Sequence, residues 1–268
     1  MLVTLPPVRG GLEPVEAALA DLRRRRGADA TRGLAPGLRL PWPTADWLPA
    51  SALVSGERLD ETLDVAQRRW GAPAATAAAL AWRSYTYWLA MPVVLGWATA
   101  RRVPLADPAE VFVQATVDHA RAPITFAWRR PRMAVLPHDP VANGPDVTIV
   151  TSEAELLRRL RTTLREDHLD PLLAQIQSRV RLGTRTLLGS LASAVAYAVV
   201  RGLDQPALVQ QETAHTLLSV LDVADLVALE PGPDGLRVQR RTCCLAFTLP
   251  EARVCSSCCV PAATGRSG

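Results

Sequence analysis

Five cysteines occur in the chain, and all lie between Cys243 and Cys259. The first 242 residues contain none, which argues against a disulfide scaffold whose bridges staple distant segments. The cluster begins with the adjacent pair Cys243 and Cys244. Ten residues separate that pair from Cys255, two more lead to Cys258, and Cys259 follows at once. A Cys-x2-Cys pair on a tight turn presents two sulfurs to one metal, as zinc ribbons and iron–sulfur proteins both do. Adjacent cysteines on an extended segment point to opposite sides and chelate one small tetrahedral ion poorly. A two-iron cluster is larger and accepts an adjacent pair after a local bend. Thiolate donors suit Zn, Cu(I) and Fe–S alike, so spacing favours [2Fe–2S] and leaves zinc, redox thiols and incidental thiols open.

The rest of the sequence holds little other chemistry. His119, His138, His168 and His215 are scattered without metal-ligand spacing, and His168 reads as structural, flanking a helix. The glycine-containing stretches match neither a phosphate loop nor a dinucleotide fingerprint, so electrons are expected from another protein or a soluble reductant rather than a bound NAD(P)H. All thirty basic residues are arginine, the formal charge is only +4, and nucleic acid is not an expected partner. The run Arg23 to Arg26 reads as the solvated last turn of a helix.

With 49% hydrophobic residues among 268, the chain can bury a substantial core, and a mostly disordered protein is excluded. Helical periodicity predicts helices over 13–26, 58–69 and 73–90, with Pro92 kinking or breaking the last before a further piece to Ala100. Residues 27–57, rich in Gly and Pro, read as an irregular connection. Trp70, Trp82, Tyr85, Trp88 and Trp97 supply an aromatic interior. Runs at 110–116, 123–128 and 132–136 predict a small antiparallel meander, with 147–150 as another strand. Ser152 and Glu155 match a capping box opening a helix to about Arg165. Helices over 171–181, 184–202 and 206–219 follow, with small residues from Gly189 to Ala194 allowing close packing. A hairpin over 226–249 then delivers the chain to the cysteines. The apolar stretches 84–100 and 186–200 read as buried helices, the first interrupted by Pro92 and the second short of the roughly 20 residues a membrane span requires. Met1 to Pro7 lacks a basic region followed by an apolar run, and a cytoplasmic location is expected.

Arg241-Thr242-Cys243-Cys244-Leu245, the ten-residue interval and Cys255-Ser256-Ser257-Cys258 resemble the C-terminal signature of the FhuF-like ferric-siderophore reductases. Weaker similarity lies upstream: Tyr85 to Leu105, His168-Leu169-Asp170-Pro171-Leu172, and Arg185 to Gly189. Together these cover roughly residues 60–262. The chain departs from the family at Leu188-Gly189-Ser190, where Trp-Gly-Asn is common, and Cys259 stands outside the four-cysteine pattern. The resemblance implies a [2Fe–2S] cluster on Cys243, Cys244, Cys255 and Cys258, and one-electron reduction of a ferric siderophore in the cytoplasm. Implied partners are the siderophore, a separate electron donor, and a membrane siderophore transporter met at the inner face. Arg240, Arg241 and Arg253 would place positive charge beside the cluster, balancing it or docking an anionic ferric complex. A sensor or an electron carrier with the same cysteines is the alternative. The expected fold is α+β: an N-terminal helix and connection over 1–57, a helix-rich domain with a small antiparallel sheet over 58–225, and a C-terminal cluster-binding extension over 226–262.

Overall fold

The computed structural model describes residues 11–40, 42–232, 235–251, 254 and 257–259. Its architecture is α+β, organised around one long helix. In chain order the elements are α1 (Glu13–Arg26), β1 (Leu34–Arg39), β2 (Leu48–Pro49), α2 (Ala50–Val54), α3 (Leu59–Trp70), α4 (Ala74–Ala100), β3 (Val103–Pro104) and β4 (Val111–Ala115). There follow β5 (Ile124–Trp128), β6 (Met133–Val135), β7 (Val147–Ile149), α5 (Glu153–Arg161), α6 (Asp170–Arg179), α7 (Thr184–Gly202), α8 (Ala207–Val220), β8 (Val227–Gly232) and β9 (Gly235–Arg240).

The 27 residues of α4 run through Pro92 without interruption, so the expected break is absent. Proline removes one helical hydrogen bond, which usually kinks or ends a helix. Here Leu89 to Leu95, Pro92 included, are all buried in the core, and packing around them holds the helix together. α4 packs on α7, α3 and α1 and against β5. α7, which packs on α4, buries the small residues Gly189, Ser190, Ala192, Ser193, Ala194, Ala196 and Ala198. The Trp82 indole donates to the Leu187 carbonyl at 2.8 Å, and Trp82, Tyr85, Trp88 and Trp97 are core residues as expected. No helix among the described residues is long and apolar enough to cross a membrane.

Three expectations for the sheets need correction. Residues 27–57 are not irregular throughout: β1 pairs in parallel with β5, and β2 pairs with β4. The strands also form no single meander. β4 and β5 are antiparallel, with Val113 opposite Phe126, but β6 leaves them and pairs with β3 (antiparallel) and β7 (parallel). Pro131, with no N–H to give, stands between β5 and β6 where a continuing ladder would need one. The C-terminal hairpin is shorter than its expected span. Its ladder runs from Val227 opposite Arg240 to Gly232 opposite Gly235, and the tip residues 233 and 234 lie outside the described residues. Val227 and Val238 belong to the main core, so the hairpin shares the helices' hydrophobic interior.

Between α5 and α6 the helical path continues through π-type turns over Thr162–Leu169, where the sequence suggested a gap. Ser152 caps the path by accepting from the Glu155 N–H at 3.2 Å, while the Glu155 carboxylate accepts from the Thr151 N–H and hydroxyl, one residue outside the usual reciprocal bond. Arg25, in the basic run ending α1, donates to the Gly202 carbonyl at 3.0 Å and so helps satisfy the C-terminus of α7.

The widened turns carry His168 into the interior rather than onto a helix flank. It is fully buried, with Nδ1 2.6 Å from the Ala106 carbonyl and Nε2 2.6 Å from the Tyr85 hydroxyl. A carbonyl only accepts, so Nδ1 carries the proton and Nε2 accepts from Tyr85: the imidazole is neutral. Burial pushes the His168 pKa down to about 4, partly opposed by the Ala106 hydrogen bond and the charge of Asp107. An unfolded chain has an imidazole pKa near 6.5. Between the two values only the unfolded chain takes up the proton. Stability is therefore complete above about pH 6.5 and falls as pH drops toward 4, by roughly 3 kcal/mol from this residue. Urea melts across that range should show the loss. A His168→Phe variant should lose this component of the slope and start about 3 kcal/mol less stable at pH 7, because the Tyr85 hydroxyl and Ala106 carbonyl are left unpaired. An unchanged slope in the variant would assign the acid sensitivity elsewhere.

Candidate functional site

The thiols are delivered by β9. Its last residue, Arg240, ends the pairing with β8, and its N–H turns to the Ser257 carbonyl at 3.1 Å. One residue earlier, the Gln239 side-chain amide donates to the Cys258 carbonyl at 2.7 Å. These two bonds lay the Cys258 segment along the edge of β9. Arg241 is tied down by its N–H to the Leu226 carbonyl at 3.0 Å, and the chain then enters the Cys243–Cys244 pair.

A local bend follows the pair. Leu245 adopts a left-handed conformation (φ 63°), and a short 3-10 turn covers Ala246–Thr248. The bend aims two successive amides at sulfur. The Leu245 N–H donates to Cys243 Sγ at 3.3 Å, and the Ala246 N–H lies toward the Cys244 sulfur and lowers its pKa. A residue with a side chain held at positive φ is uncommon, and Leu245 occupies the position where the adjacent pair must turn.

Cys244 is buried, packed with Leu80 and Ala246 and flanked by Trp70 and Leu249. Burial, the largest single influence, pushes its thiol up. The Ala246 amide, the charges of Arg83 and Arg240, and a hydrogen bond from Arg83 Nη1 at 3.6 Å together outweigh it and lower the pKa. Cys243, Cys258 and Cys259 are half-buried. Burial raises the Cys259 pKa, and the neighbouring Cys243 and Cys258 raise it further. The hydrogen bonds to Ser257 and Cys258 return the end of the motif to the edge of β9, next to where the motif starts. Among the described residues no three Cys, His, Asp or Glu side chains converge closely enough to hold a metal ion. Cys255, the remaining expected ligand, and Arg253 lie outside the described residues.

The donor set suits a thiolate-bound group: soft sulfur atoms, backbone N–H groups pointing at two of them, and guanidinium charge nearby. Arg83 has no counterpart in the sequence reading. It lies on α4, 161 residues before Cys244, and no local spacing signals that contact. The Leu188-Gly189-Ser190 step on α7 meets the same site from the other side. A Cβ at Gly189 would overlap the Thr242 hydroxyl, and Ser190 Oγ accepts from Arg240 Nη2 at 3.3 Å. The thiol segment therefore rests on α7 through Gly189 and Ser190, which the sequence marked as small residues suited to close packing and as part of a step that departs from the family pattern.

Gly189→Ala would ordinarily favour a helix by up to about 1 kcal/mol. Here the added methyl meets Thr242 in a filled space, and a net loss of about 1–3 kcal/mol is expected. Thr242→Ala, by removing the overlapping hydroxyl and methyl, should relieve part of that loss in the double variant. Urea melts give the coupling, expected to be at least about 1 kcal/mol. Thiol titration should show faster modification of Cys244 in Gly189→Ala alone. Additive stabilities would show that this contact does not seat the segment. No family model matches this chain, and no curated protein matches it.

Proposed function

We propose that the chain is a [2Fe–2S] protein of the ferric-siderophore reductase type, acting in the cytoplasm. The observation that carries the reading is the pair of hydrogen bonds by which β9 holds Ser257 and Cys258, returning the end of the cysteine motif to its start, with Arg83 donating to the buried Cys244 sulfur. Cys243, Cys244, Cys255 and Cys258 would hold the group, and Cys259 is left over. When bound, such a cluster supplies one electron at a time, the amount needed to convert a siderophore's Fe(III) to weakly held Fe(II).

The chain's own residues do the remaining work. The Leu245 amide donates to sulfur, the Ala246 amide lies toward it, and both spread its negative charge. Arg83 and Arg240 offset that charge from the sides of α4 and β9. Trp70, Leu80 and Leu249 shield Cys244 from water on the core side. Arg83 and Arg241, exposed at the rim, offer cations to an anionic ferric complex or to the protein that supplies electrons. Nothing in this scheme requires a general acid or base, in keeping with the scattered histidines.

Protein isolated without oxygen should be red-brown, with sulfide-to-metal charge-transfer absorption and about two irons per chain, the ratio of a [2Fe–2S] centre. Cys243→Ser and Cys258→Ser should lose the colour, and Cys259→Ser should keep it. Dithionite-reduced protein mixed with a panel of ferric siderophores should be reoxidised, with Fe(II) trapped by a ferrous chelator. A colourless, zinc-loaded protein would defeat the proposal. A coloured protein that no siderophore reoxidises would point instead to a sensor or carrier.

A further inference from the structure

Arg240 is unusual among the arginines of this chain. It is only 4% exposed, yet its guanidinium donates to uncharged acceptors, the Thr242 carbonyl and Ser190 Oγ, each at 3.3 Å. Among the described residues it pairs with no carboxylate. The comparison with Arg102 is direct: that arginine, 8% exposed, meets Asp139 at 2.8 Å. Arg69, also 8% exposed, spreads its charge over three carbonyls, those of Thr116, Asp118 and Arg121, at 2.6–3.0 Å. A buried charge held by only two neutral acceptors is costly unless an anion lies close by. Its Nε donates to the carbonyl of the residue directly before Cys243, so the charge sits against the start of the cysteine segment.

Position reinforces the point. The Arg240 N–H holds Ser257, so its backbone lies between the two halves of the cysteine motif. Its side chain is clamped by α7 and by the carbonyl that precedes Cys243. Arg241 is exposed and donates away from the thiols to the Asp225 carbonyl at 3.3 Å. The two adjacent arginines are therefore not equivalent.

We propose that Arg240 is the internal counter-cation of the thiolate site, a positioning residue fixed by Ser190 and Thr242 that raises the reduction potential of the bound cluster. The inference rests on the cluster reading above. A fixed positive charge favours the reduced cluster, which carries one more negative charge than the oxidised one.

The test compares reconstituted wild-type protein with Arg240→Met, Arg240→Lys and Arg241→Gln by redox titration followed by electron paramagnetic resonance. Arg240→Met should shift the one-electron equilibrium at least tenfold toward the oxidised form, which is about 59 mV. Arg240→Lys should recover most of that shift, and Arg241→Gln should stay near wild type. A wild-type potential in a folded, cluster-loaded Arg240→Met variant overturns the proposal and leaves the cluster reading intact. A colourless wild-type protein overturns both. Should Arg240→Met fail to fold, side-chain Nε–H resonances of the wild type decide the matter. Reconstitution with iron and sulfide should broaden the Arg240 signal and spare that of Arg69, and an unbroadened Arg240 signal overturns the proposal.

Discussion

The cysteine segment depends on a contact between two small surfaces, the bare Cα of Gly189 on α7 and the Thr242 side chain just before Cys243. The segment buries modest apolar surface: Leu245 packs against the main core, and Cys244 and Ala246 form a minor cluster with Leu80 of α4. It also borrows rigidity from α7, which packs closely on α4. Small buried residues of α7 such as Ala192, Ala194 and Ala196 add little bulk, which suits close helix packing. α7 thus packs on α4 and also presents Gly189 and Ser190 to the thiol segment.

Charge is the second constraint. A chain whose only cations are arginines has planar donors with five N–H groups wherever a positive charge is needed. Inside the fold these guanidiniums act mainly on carbonyls. Arg69 gathers the ends of the turn between β4 and β5, Arg25 reaches the C-terminus of α7, and Arg161 reaches the Val220 carbonyl at 3.0 Å. Such bonds tie loops and helix ends to neighbouring elements without a buried carboxylate for each cation. Near the thiols the acceptor differs, because Arg83 donates to the Cys244 sulfur. Arg83 and Arg240 approach them from separate elements, so the local field depends on the tertiary fold rather than on the cysteine spacing.

Much of the fold was legible because its signals are local. The stripe in α1, the capping Ser152, the β4–β5 pair and the small residues of α7 each follow from a few neighbouring residues. What was not legible required distant partners. Pro92 reads as a helix breaker until the core on every side of α4 is known. β1 looks like a loop because Pro36 and Gly37 interrupt it, and only pairing with β5, about ninety residues later, makes it a strand. The strands after Trp128 look like a meander because sequence does not show that β3, two residues long, will capture β6. His168 is the sharpest case. Its segment suggested a helix boundary, whereas Tyr85 and Ala106, from different parts of the chain, draw it into the interior.

The site divides along the same line. The identity of the donors and the need for a bend after the adjacent pair follow from residue type and spacing, and Leu245 provides that bend. The surroundings of the donors do not follow. Arg83 comes from α4, Ser190 from α7, and the return of Cys258 to β9 depends on a hydrogen bond from Gln239. Those contacts set the packing and the charge around the thiols. A cysteine motif specifies what could be bound, while the elements behind it would set how readily a bound cluster of the proposed kind gave up an electron. The contacts that would do so come from α4 and α7 as much as from the cysteine segment itself.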